Sequence, residues 1–85
     1  MKYKIKQVII DNTTVYLFTE DPEKDILSLK EDYDNQDNNE PDFPLGYETP
    51  ELTEYSFLGN KYKCILLWFD NEDVPNFFLN FKDNN

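Results

Sequence analysis

Asp32, Asp34 and Gln36 alternate within EDYDNQDNNEPDFP, residues 31–44. Oxygen ligands at that spacing open an EF-hand loop, where they begin to ring a calcium ion. The pattern then requires Gly at its sixth place and Glu at its twelfth, and here those places hold Asp37 and Phe43. Starting instead at Asp34 puts Asn39 and Leu45 there. The bend and the bidentate ligand are both missing, so no metal is expected. Zinc is excluded more firmly, with one cysteine and no histidine.

Catalysis fares no better. Without His there is no imidazole base for a Ser or Cys nucleophile. Two glycines cannot build a phosphate-cradling loop. A carboxylate pair such as Asp32 and Asp34 can act as acid and base only in a pocket that separates their pKa values. A polar, Asn-rich stretch promises no such pocket. The chain is expected to be no enzyme and to carry no cofactor.

The charge itself remains. Residues 20–54 hold thirteen acids and two lysines, a net charge of −11. The other fifty residues hold five acids and six lysines, a net charge of +1. A near-neutral scaffold thus carries one acidic block. Such a surface repels DNA, RNA and anionic membranes and attracts basic proteins. Duplex DNA spaces its charges by about 3.4 Å along each strand. Acids at every second to fourth residue of a helix give about 3–6 Å.

In composition the chain resembles the nucleic-acid mimics, small acidic proteins often carried by phages and mobile elements. The resemblance implies an inhibitor that fills the basic groove of a restriction enzyme, CRISPR effector, polymerase or similar protein. It carries no motif. Glu23, Glu31, Asp32, Asp34, Asp37, Glu40 and Asp42 are the expected phosphate surrogates.

Two other readings stand beside this one. An immunity protein or antitoxin would neutralise a basic nuclease toxin, with charge steering the encounter. Tyr33, Phe43, Tyr47 and Tyr55 would then anchor the contact, because Tyr is enriched at interface hot spots. An accessory domain would use its charge only for solubility. The lysine–tyrosine runs Lys2-Tyr3-Lys4 and Lys61-Tyr62-Lys63 could serve as a nucleic-acid stacking platform, but a net charge of −10 without arginine opposes direct binding.

The elements that must position these groups follow from periodicity. KYKIKQVII alternates, with Tyr3, Ile5 and Ile9 on one side and Lys2, Lys4 and Lys6 on the other. A turn at Asp11-Asn12 and the return strand TTVYLFT complete a hairpin. Asp21 as N-cap, Pro22 at the first position and Glu23 near the positive dipole end predict a helix. Its stripe is Ile26, Leu29 and Tyr33, with Leu27 beside them, and it ends near Tyr33 to Asn35. Residues 35–50 read as a polar acidic connection that Phe43, Leu45 and Tyr47 pin to the body.

Gly59-Asn60 predicts a second hairpin between EYSFL and KYKCILLWF, and the latter is apolar on both faces from Cys64 to Phe69, as in a central strand. VPNFFLNF reads as a last strand after a turn at Asn71-Glu72-Asp73.

The order β-β-α-β-β-β predicts an α+β fold: an antiparallel sheet of about five strands with one helix on a face. Eighty-five residues make a single domain. One cysteine allows no internal disulfide, and no apolar run approaches membrane-spanning length. A cytoplasmic protein with no membrane association is expected. The lysines at strand positions guard edges against other chains, and a homodimer through a strand edge stays open.

Overall fold

The computed structural model describes residues 2–38, 41–69 and 74–83, with residues 82 and 83 described for their backbone only. Its elements run β1 (Ile5–Asp11), β2 (Thr14–Thr19), α1 (Pro22–Asp34), β3 (Glu51–Phe57), β4 (Asn60–Trp68) and α2 (Asn76–Asp83). The four strands form one antiparallel sheet in the order β1-β2-β4-β3. Two hairpins are therefore joined edge to edge through β2 and β4. α1 packs over β2, β4 and β3, and α2 packs over β1.

One face of the sheet holds the core. Val8, Val15, Leu17, Ile65 and Leu67 meet Ile26 and Leu29 of α1 and Phe78 of α2 in a single buried cluster. Phe43 and Leu45 from the connection join it. Among the described residues the opposite face has no helix on it. It is floored by half-buried Tyr16, Phe18, Tyr55, Leu66 and Trp68, with Tyr55 edge-on to Tyr16 at 5.0 Å and to Phe18 at 5.9 Å. No helix among the described residues is long and apolar enough to cross a membrane.

The strands depart from simple alternation at one place. Ile5 pairs with Thr19 but Gln7 pairs with Phe18, so Lys6 is an extra residue in β1. This bulge reverses the parity of everything after it. Tyr3 and Ile5 face the core, and beyond the bulge Val8 and Ile10 do so. Ile9, expected on the core side with Tyr3, shares its register with Tyr16 on the open face.

α1 forms as its caps dictate. The Asp21 carboxylate accepts from the Lys24 N–H at 3.3 Å and Pro22 opens the first turn. Asn35 closes it, its N–H donating to Glu31 at 3.0 Å. Ile26 and Leu29 are buried and Tyr33 is half-buried, whereas Leu27 is 69% exposed.

The second hairpin turns one residue earlier than expected. Leu58 (φ 50) and Gly59 (φ 81) form the loop, and Asn60 already pairs with Phe57. Positive φ at both central residues is what a type I′ turn requires. A leucine there pays a steric cost that Asn or Gly would avoid, which is why the sequence pointed to Gly59-Asn60.

The expected fifth strand is a helix. Phe77 and Phe78 both touch Phe43, with ring centroids at 5.3 and 5.7 Å. Neighbours in a strand point to opposite faces and could not share that target. Val74, Phe77, Phe78 and Phe81 recur at three- and four-residue steps, which puts them on one helical face against the core. The Pro75 carbonyl accepts from Phe78 and Leu79 at 3.0 and 3.3 Å and starts the helix. The α+β class stands, with four strands and two helices among the described residues. The turn foreseen at Asn71-Glu72-Asp73 lies outside the described residues.

Candidate interaction surface

The acidic block divides into carboxylates that hold the fold and carboxylates that do not. Asp32 belongs to the first group. It faces back towards the N-terminal segment, where the Tyr3 hydroxyl donates to it at 2.6 Å and the Lys2 ammonium lies at 3.1 Å. Asp42 accepts from the Lys2 backbone N–H at 2.9 Å. Together these bonds tie the start of the chain to α1 and to the connection. Glu23 is exposed, and its carboxylate is held by the Lys63 ammonium of β4.

Glu31, Asp34 and Asp37 form the second group. All three are exposed and none has a bonded partner among the described residues. Glu31 and Asp34 stand three residues apart, so they lie on one helix face about 4.5 Å apart in rise. Asp37 follows in the turn beyond the C-cap. Glu40 lies outside the described residues. Asp32 and Asp34, the pair considered above for calcium or acid–base work, sit on a helix and diverge: Asp32 is tied down and Asp34 is exposed. Among the described residues no group of three potential metal ligands converges.

The four aromatic anchors separate in the same way. Phe43 is 3% exposed and lies within the core, edge-on to Tyr3 at 6.0 Å, so it cannot meet a partner as expected. Tyr33 is half-buried and its hydroxyl donates to the Tyr47 carbonyl at 3.0 Å. Tyr55 belongs to the aromatic floor of the open sheet face. Tyr47 alone of the four is well exposed, at 54%. Leu27 joins it as a residue the sequence reading set beside the core stripe. It stands four residues before Glu31 and so shares the exposed face with it. The signal was there: Leu27 lies off the line of Ile26, Leu29 and Tyr33.

Electrostatics at Asp32 make a pH prediction. Burial works against its charge, but the Tyr3 hydroxyl and the Lys2 ammonium outweigh it and hold the carboxylate below its usual range. Burial and the Asp32 carboxylate push the Tyr3 phenol up. A carboxylate lowered on folding contributes stability above its unfolded pKa of about 3.9 and loses it as pH falls through the folded value. A phenol raised on folding contributes below its unfolded pKa of about 10 and loses it as pH rises. Urea midpoints measured against pH should therefore fall in acid and again in alkali. Asp32→Asn should flatten the acid limb and Tyr3→Phe the alkaline one, each costing about 1.5 kcal/mol near neutrality, the low end for a hydrogen bond to a charged group because the site is only part-buried. Acid and alkaline limbs unchanged in both variants would refute the assignment.

Cys64 is fully buried, and burial pushes its thiol up to about 11. A thiol so placed is a small core hydrophobe and a poor nucleophile.

Compared with known protein families, curated proteins and solved structures, the chain matches none.

Proposed function

We propose that the protein is a non-enzymatic acidic inhibitor that occupies the basic groove of a nucleic-acid-handling protein, as a nucleic-acid mimic of the kind phages and mobile elements carry. The observation that supports this reading is the unpaired set Glu31, Asp34 and Asp37. These carboxylates sit at the end of a capped helix inside a segment of net charge −11. A mimic needs charges that are both free and held in place, because loose charges must be ordered on binding. Glu23, Asp32 and Asp42 set the scaffold and are secondary to the contact.

The exposed Leu27 beside Glu31 favours the second reading, an immunity protein or antitoxin. An apolar side chain amid acids suits a protein surface with a pocket better than a groove built for phosphates.

The experiment is capture on the immobilised full chain from a host lysate at about 50 mM and about 300 mM salt, over which screening of exposed charges strengthens. Wild type should retain a basic nucleic-acid-binding protein at low salt, and duplex DNA should displace it. Glu31→Gln/Asp34→Asn/Asp37→Asn should weaken retention about tenfold or more. Retention that ignores both salt and the triple substitution would end the proposal. Retention that DNA cannot displace but Leu27→Ala abolishes would move it to the immunity reading.

A further inference from the structure

β2 and β4 pair from Thr14 with Trp68 to Leu17 with Ile65 and then part. β4 continues back to Asn60 with β3 as its only paired strand among the described residues. A groove of about 840 Å³ opens where they separate. Its lining comes from both sheet faces: Phe18, Tyr55 and Tyr62 from the open face, Thr19, Lys61 and Lys63 from the other. It is therefore a notch in the sheet and not a dimple on one side of it.

Three features of the notch point to one kind of occupant. Residues 60–63 of β4 are exposed. In an antiparallel strand, alternate residues turn their backbone groups to opposite sides. About half of the N–H and C=O groups here thus face the side that β2 leaves empty. Next, Thr19 lines the notch with its hydroxyl buried and unpartnered among the described residues, a polar group whose lost hydration nothing yet repays. Finally, the uncommitted charge is positive. Glu20 is paired with Lys4 at 3.7 Å, Glu23 is paired with Lys63, and Asp21 caps α1. Lys6 and Lys61 line the notch with no bonded partner among the described residues.

We propose that this notch receives an extended acidic segment of a partner protein, which adds to the free edge of β4 as a further strand. Strand addition draws affinity from backbone bonds and specificity from alternate side chains. Tyr55 and Tyr62 share one face, while Lys61 and Lys63 stand on the other. The segment therefore alternates apolar residues towards the tyrosines with acids towards the unpaired Lys6 and Lys61. This site is separate from the acidic helix face and does not depend on it.

The test is a titration of the ¹⁵N-labelled full chain with a short blocked peptide alternating Val and Glu. Shift changes should concentrate at Lys61, Tyr62 and Lys63, and slowed amide exchange at Lys61 and Lys63, because the backbone of Tyr62 between them is turned to Tyr55 of β3. Lys6→Gln/Lys61→Gln should weaken binding about tenfold, as two exposed ion pairs are lost. A peptide N-methylated on alternate amides should bind as poorly as a Val–Lys peptide. Equal binding of the Val–Lys peptide, or of the N-methylated one, overturns the proposal. So does slowed exchange at these residues without peptide that grows with protein concentration, since a second copy would then fill the notch.

Discussion

Gly46→Ala is expected to unfold much of the protein at temperatures the wild type tolerates. Gly46 has φ +92, and a Cβ placed on it would lie 2.1 Å from the Trp68 carbonyl oxygen and 3.0 Å from its carbon. Both obstacles are backbone, so no side chain can swing aside. The approach is close because the neighbouring Tyr47 N–H donates to that same carbonyl at 3.0 Å. An L-residue at positive φ costs about 1–2 kcal/mol, and overpacking adds about 1–3 kcal/mol. The sum, ~3 kcal/mol or more, compares with a total stability of about 4–13 kcal/mol for a chain this long.

Gly59 supplies the control. It too has positive φ, +81, but a Cβ there meets nothing within 4 Å. Gly59→Ala should therefore show backbone strain alone, about 1 kcal/mol. In thermal melts, Gly46→Ala should lose about 15 °C or more and Gly59→Ala about 5 °C, given the usual slope for domains of this size. Equal losses would mean that the connection does not pass β4 as closely as described. The effect reaches the whole connection because Phe43, Leu45 and buried Pro50 lie on either side of Gly46. Losing this anchor frees the connection that carries Asp42 and its bond to Lys2.

Local signals carried the elements whose causes are local. α1 was legible because Asp21, Pro22 and Asn35 mark its ends and Ile26, Leu29 and Tyr33 mark its inner face. The first hairpin was legible from alternation and Asn12, whose φ of 58 suits asparagine. The bulge at Lys6 was not, because a single inserted residue leaves no mark of its own and shows only as a change of parity between Ile5 and Val8. The Leu58 turn was hidden because leucine is an unlikely occupant of positive φ.

The candidate surface was legible as a block but not residue by residue. Whether a carboxylate is free depends on pairs remote in sequence, Lys2 with Asp32 and Lys63 with Glu23. Nothing within a window of ten residues distinguishes Asp32 from Asp34.

The ambiguity of NFFLNF leads to the second large effect. Read as a strand, it puts Phe77, Leu79 and Phe81 on one face and Phe78 on the other, so that burying the three-residue face leaves Phe78 outside. As α2, it buries Phe78 completely, half-buries Phe77 and Phe81, and leaves Leu79 40% exposed. Phe78 lies against Phe69 at 5.6 Å and Phe43 at 5.7 Å, so its ring joins the end of β4 to the connection. Phe78→Ala should cost about 3–5 kcal/mol, since the transfer energy of the ring and the cavity left behind add together.

Leu79→Ala removes a side chain already partly in water and favours the helix by propensity, so its effect should stay within about 0.5 kcal/mol. Urea unfolding of the two variants decides between the readings. A large loss for Leu79→Ala with a small one for Phe78→Ala would restore the strand. The reverse order fixes α2 as the element that closes the core over β1 and holds Phe43 in it. Through Phe43, α2 also bears on how the connection beside Asp42 is held. The exposed carboxylates of α1 depend less on α2, because Ile26 and Leu29 seat that helix on the sheet. Phe78→Ala should therefore loosen the connection before it disturbs the acidic face, and amide exchange of the intact variant should show the rise at Leu45–Tyr47 first and at Ile26–Leu29 last.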